Sequence, residues 1–391
     1  MFLASLIMNN LFTFNFNMRK VCGYIVLAIC ILIYVVSSYQ KLTKRISHYK
    51  MTHNSIWGSD RMRYGDLYGL AYLPYFRKNY VNQDSAKLAG CDQSPKINLY
   101  EICDSYLWEF LNKEKFYCGV NKLTYATTND KNKLTAQLDS SKINVLLLEM
   151  SERNIRRILY DSAYVANMII TKPGKPINTG KTVLAKSSGS SKWESRISKI
   201  TDVVFNKSIN ANIEDNIWDI ALFTPIKELK AIINYKLLGR INDDVKLSSD
   251  KKQLFYSMTI DADKNTSSFK PVTDAELKLI VNRINLIYAN SKKAGFKKTY
   301  LSIIPNPVSV IEPDYNGLSN NNLVDRIQNS PDLQMPKIDL LPAFKNAKQR
   351  VYAASDTHWN WTGAQLWLNL FNKELSNTVK ESEQKANSGN L

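Results

Sequence analysis

Histidine is the scarcest chemically versatile residue here: the 391-residue chain has three, His48, His53 and His358. Any chemistry that needs an imidazole must use one of them. Five cysteines in this length exclude a disulfide scaffold. The sequence has no metal-ligand spacing, no glycine-rich phosphate loop and no dinucleotide fingerprint, so no metal and no cofactor is expected. It has no internal repeat and no low-complexity block, and a composition of 44% hydrophobic and 22% charged residues excludes a disordered or collagen-like chain.

A further absence is local. Between Lys20 and Lys41 no residue is charged, and Val21 to Gln40 reads VCGYIVLAICILIYVVSSYQ. About 20 residues at helical rise span a hydrocarbon core. A buried soluble helix normally carries a polar stripe, and none occurs before Ser37. The expected layout is a cytoplasmic segment over 1–20, a transmembrane anchor over 21–40 and a juxtamembrane stretch over 41–90. A cleaved signal peptide is the alternative, although no small-x-small site follows Val36. Basic residues flank both ends, with Arg19 and Lys20 before the run and Lys41, Lys44, Arg45 and Lys50 after it, so charge leaves the orientation open.

Three apolar runs read as buried strands: Ile97–Cys103, Ile143–Leu148 and Thr299–Ile304. The first two lead into helical patterns, LWEFLNKE and NIRRILYDSAYV. A helix precedes the third, opened by the capping box Thr273-Asp-Ala-Glu276 and closed at Gly295. This alternation predicts an α/β domain over 91–379 with a mainly parallel sheet and helices on both faces. Residues 187–255 read as a helical insertion or lid, and 380–391 as a frayed tail. Ligands of parallel sheets bind beyond the carboxyl ends of the strands, which directs attention to the residues after each strand.

Ser105 follows the first strand in Cys103-Asp104-Ser105-Tyr106. A serine there sits at a helix start, where neighbouring N–H groups face whatever the hydroxyl attacks. The plain alternative is an N-cap. Near the C-terminus comes Asp356-Thr357-His358-Trp359-Asn360-Trp361-Thr362-Gly363, ahead of a helix for which Thr362 is a plausible cap. A carboxylate two residues before a histidine can hold one ring nitrogen and leave the other free as a base. A buried structural histidine is the alternative. His48 and His53 lie beside the anchor, so His358 is the base that elimination leaves for a nucleophilic serine.

A strand running into a G-D-S-type serine, followed by D-x-H-W, resembles the SGNH/GDSL hydrolase-like (flavodoxin-like) fold. More narrowly, the chain is similar to membrane-anchored polysaccharide O-acetyltransferases of the alginate-acetylation type, the DHHW-like proteins. The resemblance spans roughly Trp57 to Leu375, with DTHWNWTG its most specific stretch, and Asp60-Arg-Met-Arg-Tyr-Gly-Asp-Leu-Tyr68 looks like the opening segment of such proteins. Cys103 stands where a GDS motif has glycine, and the serine precedes the histidine, the SGNH order rather than the alginate one.

The resemblance implies a triad of Ser105, His358 and Asp356, with oxyanion or substrate groups after the second and third strands. Asn306 would donate its amide to an oxyanion, with a turn asparagine as the alternative. Glu149 and Arg153 would pair to shape the pocket or hold a sugar, with a helix-start salt bridge as the alternative. Trp359 joins the substrate-binding candidates. The implied acceptor is an acidic or neutral polysaccharide, and the implied acyl source is a multi-pass membrane acyltransferase of the MBOAT class. An esterase of the same fold or a non-catalytic glycan-binding scaffold are the competing readings. Cys91 and Cys118 flank the serine and could form a disulfide outside the cytoplasm. The charge, 52 basic against 35 acidic residues or +17, comes without a nucleic-acid motif, so no nucleic acid is expected. On an anchored protein facing the periplasm of a bacterial inner membrane it points to anionic lipid or acidic glycan.

Overall fold

The computed structural model describes residues 2–39, most of 42–77, 94–171 except 109, 112 and 130, and 209–388. His48, His53 and Cys91 lie outside the described residues, as does the first part of the expected insertion, 187–208. The chain divides into two compact units, Met1–Arg63 with Gly180–Leu229, and Tyr64–Thr179 with Lys230–Leu391. The unit with the sheet begins at residue 64, and residues 187–255 divide between the two units.

The first unit holds helix α1 (Phe2–Ser38), whose Met18–Ser38 portion is long and apolar enough to cross a membrane, with a mean hydropathy of 2.5. The far end of α1 is tied to the helical turn Ile209–Ile213 and the one after it: Asn212 Nδ2 donates to the Ser37 carbonyl at 2.8 Å, and Asn216 Nδ2 to Ser37 Oγ at 3.2 Å. Helix α2 (Thr224–Ile232) runs from this unit into the next.

The second unit is built on five parallel strands: β1 (Ile97–Cys103), β2 (Val120–Thr127), β3 (Ile143–Ser151), β4 (Lys298–Ile304) and β5 (Lys337–Ile338). Their spatial order is β5-β4-β3-β1-β2, all neighbours parallel. Read from the other edge this is 2-1-3-4-5, a doubly wound order with its switch point between β1 and β3. Every residue of β1 is buried because both faces are covered, which explains the unbroken apolar run.

Helix α3 (Asp274–Ala294) covers one face through Ile280, Ile284 and Ile287, packed on Ile102, Leu148 and Leu301. Its ends match the sequence reading: Thr273 accepts the Glu276 N–H, and Gly295 closes the helix at φ 101°. Helix α4 (Trp361–Ser388) covers the other face through Trp367, Phe371 and Leu375, packed on Leu99, Val145 and Tyr300.

Three local expectations change. The described residues of LWEFLNKE form no α-helix; they take part in short 3-10 turns, beginning with Ser105–Leu107. Asn360, not Thr362, caps α4, its Oδ1 accepting the Gly363 N–H at 3.1 Å. The tail expected from Lys380 is helical to Ser388, because Glu381 and Glu383 reach Lys298 and Lys96 beside the sheet.

Candidate active site

The site lies at the switch point, just past the carboxyl ends of β1 and β3. Ser105 opens the 3-10 turn after β1. Its Oγ lies 2.8 Å from His358 Nε2, and His358 Nδ1 lies 2.6 Å from Asp356 Oδ1. The same Asp356 oxygen accepts the His358 main-chain N–H at 3.0 Å, so the carboxylate fixes both the ring and the chain that carries it. Asp356 is buried, whereas Ser105 and His358 are partly exposed to solvent. Serine, histidine and aspartate therefore meet in the order nucleophile, base and orienting carboxylate.

The loop carrying His358 is held from several sides. Tyr106 Oη donates to the Thr357 carbonyl at 2.6 Å, and the Tyr106 ring packs 4.9 Å from the imidazole. Gly363 approaches the chain so closely that a Cβ would stand 2.3 Å from the Val351 carbonyl oxygen. This accounts for the final glycine of DTHWNWTG.

Asp66 is the participant that sequence reasoning missed. Its carboxylate accepts the Thr357 N–H at 2.8 Å and Thr357 Oγ1 at 2.6 Å, and it lies 3.7 Å from His358 Nδ1. Burial, and then the charge of Asp356, push its carboxyl above the usual range. Gly65, at φ 112°, lets the chain meet residue 355; a Cβ there would come within 2.2 Å of the Ser355 carbonyl oxygen. The signal was the segment ending in YGDLY, singled out by resemblance but without a role. Asp66, Asp356 and His358 bring one ligand atom each within 4.8 Å of the others, a spacing a cation could also use. The hydrogen bonds, Asp66 on Thr357 and Asp356 on His358, are those of a base held in place by its neighbours.

Asp104 anchors the serine turn from below. One carboxylate oxygen accepts the Tyr106 N–H; the other accepts the Ser151 N–H, Ser151 Oγ and Asn154 Nδ2 at 2.6–2.9 Å. Burial raises its pKa, but the Ser151 bond, the Arg153 charge and the remaining donors more than offset this and leave it below the usual carboxylate range. β1 and β3 are thus stapled at the point where both feed the site. Among the described residues, nothing accepts the Ser105 N–H.

The other expected residues separate. Arg153 follows β3, partly exposed, with its guanidinium 5.7 Å from the centre of the Tyr106 ring. Burial lowers its pKa, but Tyr106, Asp104, Asp66 and Asp356 together raise it, so it stays charged. The expected Glu149–Arg153 pair is not among the ion pairs of the described residues. Glu149 is fully buried and accepts the Asp104 N–H at 2.8 Å, which makes it a support for the loop. Asn306 is fully buried too, and its amide donates to Ser268 Oγ at 2.9 Å while its N–H donates to Glu152. The side-chain amide is thus engaged by the segment before α3, and its Oδ1 has no partner among the described residues. Trp359 is buried against Tyr106, Phe110 and Trp367, in the core rather than on the cleft surface. Its indole backs the Tyr106 ring that faces His358. Cys103 is free and buried, and Cys118 is disulfide-bonded.

No protein-family model matches the chain, and no curated protein or solved structure matches it.

Proposed function

We propose that this chain is a membrane-anchored serine O-acyltransferase of the SGNH/GDSL-like kind, transferring an acyl group, acetyl first among candidates, to a cell-surface or exported polysaccharide. The observation that carries the reading is the continuous hydrogen-bond chain from Ser105 Oγ through His358 to Asp356. Ser105 Oγ attacks the acyl carbonyl while His358 Nε2 takes its proton. The oxyanion forms beside the uncommitted Ser105 N–H, with the Arg153 guanidinium as the nearby cation. Collapse expels the donor's leaving group, which takes the proton from His358. A sugar hydroxyl then gives its proton to His358 and attacks the acyl-serine; collapse releases the sugar ester while His358 returns the proton to Ser105 Oγ.

Helix α1 supports an anchored placement; the side of the membrane, outside the cytoplasm of a bacterial inner membrane, is what the resemblance implies. A multi-pass acyltransferase of the MBOAT class is the proposed acyl source, and the basic charge favours an acidic acceptor. The test is a time course with an activated acetyl ester, with and without oligosaccharide. Acetylated oligosaccharide is the expected product; free acetate alone under both conditions would make the chain an esterase. Ser105→Ala and His358→Ala should each lower turnover by about 10³-fold or more. Equal fluorophosphonate labelling of wild type and Ser105→Ala would remove the nucleophile assignment.

A further inference from the structure

Helix α2 leaves an apolar stripe uncovered. Leu222, Ile226 and Leu229 are 46%, 60% and 58% exposed, and the helix continues without a break into Ile233–Leu237, where Ile233 and Leu237 are exposed as well. Spacings of four, three, four and four residues place these side chains along one face. The opposite side is already used: Ala231, Ile232 and Tyr235 pack with Leu70, Leu73 and Leu254. Five large aliphatic side chains in a row on an exposed face are more than scattered surface hydrophobics, and such a patch marks a contact.

The depth of the stripe follows from the first unit alone. Ser37 and Ser38, the last residues of the apolar helix, are buried, and Ser37 takes hydrogen bonds from Asn212 and Asn216. The chain from Ile209 is therefore fixed where α1 ends, at the level at which a spanning helix leaves the hydrocarbon. Trp218, 48% exposed, lies between that tie and Leu222, and tryptophan favours the membrane–water boundary. Lys230, Lys236 and Arg240 are exposed along the same stretch, the flanking pattern of a helix lying on anionic headgroups.

We infer that Leu222–Leu237 lies in the plane of the membrane as an interfacial helix, its apolar stripe sunk into a bilayer surface bearing anionic headgroups. This rests on the reading of α1 as a membrane anchor and is independent of the acyl-transfer chemistry. It gives the chain a second attachment to the bilayer.

The test uses the full chain in nanodiscs of phosphatidylcholine and phosphatidylglycerol, with or without doxyl-labelled lipid. A fluorophore is placed at the native Cys30 with Cys22→Ser, or, with Cys22→Ser and Cys30→Ser, at Ile226→Cys, Leu229→Cys or the exposed α3 control Lys293→Cys. Doxyl lipid should quench positions 30, 226 and 229 at least about twofold more than 293. Exchanging phosphatidylglycerol for phosphatidylcholine should weaken quenching at 226 and 229 and leave 30 unchanged. Quenching at 30 with none at 226 and 229 would overturn the interfacial helix while the anchor stands, and none at 30 would overturn both. Efficient disulfide cross-linking between Leu229→Cys copies would overturn it by assigning the stripe to a second copy. Quenching at 226 and 229 that ignores phosphatidylglycerol would overturn the anionic part.

Discussion

Asp104 and Glu101 stand three residues apart at the end of β1, both fully buried, and their ionisation is driven in opposite directions. Around Asp104 four donors converge, from Tyr106, Ser151 and Asn154, and the carboxyl is held below its usual range. Glu101 has only the Tyr117 hydroxyl near it, with no well-formed hydrogen bond among the described residues, and burial outweighs that hydroxyl and pushes it up to about 8. Across the ladder on β3, Glu149 is intermediate, with one oxygen on the Asp104 N–H and the other unpartnered, and burial, then the Asp104 charge, keep it well above its usual range. Burial pushes both strand carboxyls up, and at Asp104 the converging donors and the Arg153 charge more than offset it.

The largest effect should come from breaking the charged side of this comparison. Asp104→Asn puts an amide where three donors converge on one oxygen, and each buried donor left without an acceptor costs about 1–3 kcal/mol. A loss of about 3 kcal/mol is expected in urea unfolding, with slower fluorophosphonate labelling of Ser105. A loss below about 1 kcal/mol would mean that the donors are not what keeps Asp104 charged.

The neutral side is tested by pH. Glu101 has an ordinary value of 4.5 and about 8 in the fold. Between those values the unfolded chain binds fewer protons than the folded one, so the contribution of Glu101 falls as pH rises from about 4.5 and levels off above about 8. Glu101→Gln removes that slope. It should match wild type near pH 5 and exceed it by about 3 kcal/mol near pH 8, read by urea unfolding at both values. An offset that does not change with pH would show that Glu101 stays in one ionisation state. Asp66→Asn acts on the site itself. By loosening Thr357 beside the base it should lower kcat about tenfold with KM little changed. Unchanged kcat would remove Asp66 from the positioning of His358.

The comparison also shows what was readable from sequence. Strand runs with both faces covered announce themselves as unbroken hydrophobic stretches, and Thr273 and Gly295 carry local capping signals, so sheet and α3 were legible. His358 was legible because so few imidazoles exist, and Asp356 because it is two residues away. Asp66 was not, since its partner Thr357 lies 291 positions along the chain and only the folded chain brings them together. Asn306 and Trp359 misled for a related reason. Their chemistry suits a cleft, but Ser268 and the Tyr106–Phe110–Trp367 cluster claim them from distant segments. Glu101 reads as an ordinary strand residue, and only the covering of both sheet faces makes it a buried acid.

The smallest expected effect is the most discriminating for the intermediate case. Burial drives Glu149 toward its neutral form, which resembles a glutamine in shape and in its carbonyl acceptor. Glu149→Gln should keep the acceptor for the Asp104 N–H and change stability by less than about 1 kcal/mol, with labelling of Ser105 unaltered. Glu149→Leu removes the acceptor and strands that buried N–H, at a cost of about 1–3 kcal/mol. The ratio between the two variants, read side by side in urea unfolding, separates hydrogen-bond acceptance from charge. If Gln costs as much as Leu, Glu149 carries a charge in the folded state. The contrast between Asp104 and the strand carboxyls would then fail at the one that touches Asp104.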